Sequence, residues 1–141
     1  MTSAAPQTRL PDWRPRLVAY LASVSSQPFA YGTHDCALFA AGAVDAMTGH
    51  AIAAEYRGLY GSLKEGLKLM RREGLADHVA LLRHLFEEVP TAFAMVGDIA
   101  VIGEVGTPAL GIFEGEQILV LREGGLGLMP RAAATLAFRV P

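Results

Sequence analysis

The apolar residues of this chain change their period at Pro90. Before it they recur every three or four positions; after it they gather in short, β-rich runs. A spacing near 3.6 stacks side chains on one face of a helix, whereas short apolar runs bounded by turn residues suit strands. The runs are 99–102, 109–113, 117–121, 126–130 and 136–140. Glu114-Gly115-Glu116 and Glu123-Gly124-Gly125, which separate three of them, leave room for hairpins and none for a crossover helix. The expected fold class is therefore α+β, with N-terminal helices packed on a C-terminal antiparallel β-sheet built as a meander.

Four helices are expected before the break. Asp12 offers an N-cap carboxylate to a helix whose Leu17, Leu21 and Val24 share a face, and Ser25 to Pro28 ends it. Asp35 caps a second, with Cys36, Phe39, Ala40, Ala43 and Met47 at helical spacing and Thr48-Gly49 as the stop. Ser62 and Glu65 form a capping-box pattern ahead of Leu63, Leu67 and Met70, and Asp77 opens a fourth with Val79, Leu82 and Phe86 as its stripe. At 141 residues the chain suits one domain, 12–141, preceded by a flexible, small and polar arm, 1–11.

Composition narrows the function. Apolar residues make up 52% against 18% charged, the formal charge is -2, and the basic residues form no aromatic-interleaved stripe, so nucleic acid is not an expected partner. No apolar run approaches the length that spans a bilayer, and Met1 to Gln7 lacks the features of a secretory signal, so synthesis in the cytoplasm is expected. The four histidines and one cysteine do not sit at the spacings of common zinc sites; no metal and no cofactor is expected.

Cys36 is the only cysteine and lies in the first turn of the second helix. Unpaired N–H groups and the positive end of the helix dipole favour a thiolate there, the nucleophilic form. Core filling competes with that reading, because free cysteine is among the most buried residue types.

The stretch Pro28-Phe29-Ala30-Tyr31-Gly32, then His34-Asp35-Cys36, then Leu38 and Phe39, resembles the nucleophile segment of NlpC/P60 cysteine peptidases. These are papain-like cell-wall hydrolases in which an aromatic-Gly loop leads to Asp-Cys at the head of a helix. Gly97 to Ile102 resembles that family's Gly-Asp turn into a core strand, and Ala109 to Gly115 its next strand, which usually begins with the catalytic histidine. With Met47-Thr48-Gly49 and Tyr56 to Tyr60, the chain is most similar to an NlpC/P60-like subgroup found among tail genes of phages, prophages and gene transfer agents. The resemblance implies a papain-like fold, a place in the virion tail tip, and a hub or distal tail protein as partner.

The resemblance also implies where chemistry is missing. Ala109 stands at the base position, Ala37-Leu38 replaces a small Ser-Gly pair, and Phe29 replaces a tyrosine. A methyl group accepts no proton, and removing the base of a nucleophile–base pair costs orders of magnitude in rate. Cys36 as nucleophile and His34 as an unorthodox base are the candidate catalytic residues, with Asp35, Tyr31 and Asp98 as candidate accessories. Asp35 also reads as a helix cap and Asp98 as a turn residue. His50, His78 and His84 read as surface residues. Two functions of different class follow: a tail component that keeps the fold without the usual catalytic histidine, or an active peptidase or amidase that cuts peptidoglycan peptides during phage entry.

Overall fold

The computed structural model describes residues 8–103 and 108–141. Five helices precede the sheet: α1 (Trp13–Val24), α2 (Cys36–Thr48), α3 (Ile52–Tyr56), α4 (Leu63–Arg72) and α5 (His78–Leu85). The strands are β1 (Glu87–Val89), β2 (Ile99–Ile102), β3 (Ala109–Glu114), β4 (Gln117–Arg122), β5 (Gly125–Pro130) and β6 (Ala134–Arg139). The chain is α+β, and all six strands join one antiparallel sheet in the order β1-β6-β2-β3-β4-β5.

The expected meander describes β2 to β5. It fails for β6, which returns across the sheet to pair with β2, and for β1, which was not foreseen. The return puts β2 in the middle, buried along its whole length. Side chains alternate across the pleat. Ile99, Val101, Leu110 and Ile112 therefore meet the helices, while Ala100, Ile102 and Phe113 form a second core with Ile118, Val120 and Ala137. Val89 of β1 and Ala94 help to close that second core.

α2 is the central helix, buried on most of its circumference by Leu38, Phe39, Ala40, Ala43, Val44 and Met47. Asp35 caps it through the Leu38 N–H at 2.9 Å, and Gly49, at φ 77°, ends it in the left-handed conformation that glycine adopts without penalty. α1 approaches closely enough that a Cβ on Gly42 would lie 2.3 Å from the Tyr20 hydroxyl, which instead donates to the Phe39 carbonyl. α3, a single turn, is held from outside: the Asp45 carboxylate accepts the Ile52 and Ala53 N–H groups at 2.8 and 2.9 Å.

Two local expectations are corrected. Asp12 makes no side-chain cap to α1; its carboxylate takes the Arg16 guanidinium one turn on, at 2.8 Å. The flexible arm does not extend through residue 11, since Arg9 and Leu10 are fastened to the body. The Arg9 N–H donates to Pro141, the Leu10 N–H to Met47, and the Arg9 guanidinium reaches Val96, Val140 and Asp98. The remainder of that expectation, residues 1–7, lies outside the described residues.

Candidate functional site

The loop before α2 is folded back on itself. Ala30 and His34 form an isolated antiparallel bridge, with N–H to carbonyl distances of 2.9 and 2.8 Å. Gly32, at φ 79°, forms the turn between them, and no other residue fits, because a Cβ there would lie 1.7 Å from the Tyr60 carbonyl oxygen. The Gly32 carbonyl in turn accepts the Gly58 N–H at 2.8 Å, so the loop and the 58–61 connector are locked together.

Asp35 organises this corner. One carboxylate oxygen caps α2; the other accepts the Gly32 N–H at 3.0 Å and the Tyr60 hydroxyl at 2.5 Å. The side chain is 3% exposed. Its neutral donors and the N-terminal end of the helix dipole supply the compensation that a buried carboxylate needs. The same contact ties up Tyr60: burial first, then the bond to Asp35, pushes its hydroxyl far above the ordinary tyrosine range, making it a donor.

Cys36 follows directly, half-buried at the head of α2. Its side chain lines an apolar cavity of about 120 Å³ between α2, α4 and α5, together with Tyr31, Tyr60, His78 and Leu110. Burial pushes the thiol up, and the Asp35 carboxylate adds to that; hydrogen bonds from the Leu110, Ala37 and Cys36 N–H groups pull the other way and lose. The thiolate expected from helix position alone is therefore not the favoured form. Desolvation outweighs the helix terminus.

His34 is 2% exposed, and its Nε2 meets no hydrogen-bond partner among the described residues. The ring stands edge-on to Phe39 at 6.3 Å and is not part of the cavity wall that holds Cys36. Burial, opposed by Asp35 and assisted by Arg57, lowers its pKa and keeps it neutral. Tyr31 is 42% exposed at the cavity mouth, stacked edge-on against Phe29 at 4.8 Å.

Asp98 lies elsewhere. It is 1% exposed at the start of β2 and takes the Met95 N–H at 2.8 Å, the Val140 N–H at 3.0 Å and Arg9 at 3.0 Å. It clamps a turn and the two ends of the described chain, with no place in the cavity wall. Ala109, at the expected base position, is an exposed end of β3; Leu110, one residue on, is the strand residue that meets the thiol.

His78 corrects the surface reading. It opens α5, lines the cavity, and its Nε2 lies 3.1 Å from the Pro108 carbonyl. A carbonyl only accepts, so Nε2 carries a proton and donates it to this bond. The signal was present in the sequence: His78, Leu81, Leu82 and Leu85 fall at i, i+3, i+4 and i+7, and the three leucines are buried. Tyr60 was missed because nothing local marks it as the partner of Asp35. His84 is exposed, as expected, and His50 is half-buried beyond α2.

No group of three or more His, Cys, Asp or Glu side chains among the described residues could hold a metal ion, and none of the described helices is long and apolar enough to cross a membrane. No curated protein matches the sequence. Residues 8–140 match the family model described as Domain of unknown function (DUF6950), a span that takes in the α2 corner, the cavity and the whole sheet, and the chain belongs to that family.

Proposed function

We propose that this chain is a phage-tail-associated, NlpC/P60-like protein with a papain-like fold, a tail-tip or hub component that docks to a neighbouring tail protein and does not hydrolyse peptidoglycan. It is made in the cytoplasm and assembled into a phage or phage-like tail. The tail location is supported by the resemblance of Pro28 to Gly49 and Gly97 to Gly115 to the tail-module subgroup. The loss of hydrolysis is supported by the surroundings of the Cys36 sulfur: burial favours the neutral thiol, Leu110 is the β3 residue beside it, and no imidazole nitrogen is hydrogen-bonded to it among the described residues. Hydrolysis needs a proton acceptor within hydrogen-bond reach of the nucleophile. The clamped loop and capped helix support the likeness to a reactive corner, and no such acceptor is bonded to its sulfur among the described residues.

Purified tail particles analysed by mass spectrometry are expected to contain the chain in fixed proportion to the tail hub; its absence from intact particles overturns the proposal. A second reading rests on His78, which shares the cavity with Cys36. Under it His78 is the base, and the protein releases peptides from peptidoglycan in a manner abolished by both Cys36→Ala and His78→Ala. The tail-component reading expects no release by the wild-type chain.

A further inference from the structure

The cavity beside Cys36 has walls that neither docking nor hydrolysis explains. The space is an apolar pocket of about 120 Å³ that opens to solvent on one side and runs in among buried side chains. α2 turns Ala37, Ala40 and Ala41 toward it, where larger side chains would fill the space, and Leu67, Met70 and Leu82 face them from α4 and α5. An apolar cavity of roughly 150 Å³ lined by aliphatic and aromatic side chains stays dry and takes up benzene. The present pocket is of about that volume and, unlike a sealed cavity, opens to solvent on one side, so a ring can enter it.

Its chemistry narrows the occupant further. Several polar groups along the wall are engaged: Asp35 by its three donors, Tyr60 by Asp35, Tyr56 by Glu73 and His78 Nε2 by the Pro108 carbonyl. Among the described residues no lysine or arginine lines the space and its one carboxylate already holds three donors, so a charged ligand would find no ion-pair partner and the occupant is neutral and apolar. Two polarisable sulfurs, of Cys36 and Met70, line the space, and sulfur packs favourably against aromatic rings. The way in is apolar too. Tyr31, 42% exposed, and Leu63, 47% exposed, both belong to the lining and both reach solvent.

We propose that this cavity is a binding site for one neutral aromatic ring of about the size of benzene, admitted past Tyr31 and Leu63 and seated against the Cys36 sulfur. The assignment goes beyond the tail-component reading and stands without it. Such a ring can arrive as a free small molecule or as a phenylalanine side chain carried by a peptide, and the two sources share the chemistry.

The single thiol gives a direct readout. The full chain is titrated with toluene and, separately, with N-acetylphenylalaninamide, following the midpoint of thermal unfolding and the rate at which N-ethylmaleimide alkylates Cys36. Saturable stabilisation together with severalfold slower alkylation by either probe upholds the site. Protection by toluene assigns a free ring; protection by the amide alone assigns a peptide-borne one. Ala41→Leu, which fills the space from α2, is expected to abolish both effects, and the wild-type titration decides the matter should that variant fail to fold. No stabilisation and no protection by either probe, or unchanged protection in a folded Ala41→Leu protein, overturns the proposal.

Discussion

Two corners of this molecule are each built around a sealed carboxylate, and they are compensated differently. At the head of β2, Asp98 holds two backbone N–H groups and a cation, Arg9. At the head of α2, Asp35 holds two backbone N–H groups and a hydroxyl, Tyr60, with no cation in contact among the described residues. The first arrangement is an internal ion pair that fastens the N-terminal segment to the C-terminal strand. The second leaves a negative charge beside Cys36, and that charge helps burial to keep the sulfur protonated. One carboxylate holds two ends of the fold; the other also adds to the burial that keeps its neighbour a thiol.

The largest test of this contrast is Arg9→Ala. It strands the Asp98 charge in the interior and is expected to cost about 3 kcal/mol of unfolding free energy, read from the urea midpoint. A loss below about 1 kcal/mol would mean that Asp98 is satisfied by its N–H donors as Asp35 is, and the contrast would collapse. Tyr60→Phe is expected to cost less, about 2 kcal/mol, the typical worth of a hydrogen bond to a charged acceptor. The two sites share no partner, so the double variant should show additive losses.

A smaller effect should appear with pH. His34 has its folded-state pKa lowered by burial, so below the ordinary value of about 6.5 the unfolded chain binds a proton that the folded chain resists. Stability from this residue is complete above that value and is lost as pH falls from it toward the lower folded value. Thermal midpoints measured between pH 7.5 and 5 should decline, and His34→Phe should flatten that part of the curve. An unchanged slope in the variant would show that the His34 ring is not buried and uncompensated.

What the sequence made legible follows from the range of each interaction. α2, α4, α5 and β2 to β5 are written in local patterns: caps at Asp35, Ser62 and Asp77, a left-handed stop at Gly49, and hairpins at Gly115 and Gly124. α3 is not, because its first N–H groups are satisfied by Asp45 of the preceding helix. β1 is three residues, two of them glutamates, and shows no alternation to read; only its pairing with β6 makes it a strand. Arg9 looked like part of a polar tail because its partner, Asp98, is 89 positions away. At the candidate site, the helix-terminal position of Cys36 was legible, and so was the cap at Asp35. The desolvation was not, since it depends on residues far along the chain that the fold brings to the sulfur, Leu110 of β3 among them. His78 reads as a surface residue for a simpler reason: a stripe through Val79, Leu82 and Phe86 leaves it outside, whereas the buried face of α5 runs through Leu81, Leu82 and Leu85.

The state of the Cys36 sulfur decides between the two proposed functions, with and without hydrolysis, and the pH dependence of its alkylation by iodoacetamide measures that state directly. The expected profile has its midpoint above the ordinary thiol value of about 8.5, moves downward in Asp35→Asn, and is unaffected by His78→Ala. A midpoint below the ordinary value, with rapid labelling near neutral pH that is lost in His78→Ala, would contradict it and make this corner a nucleophile–base pair.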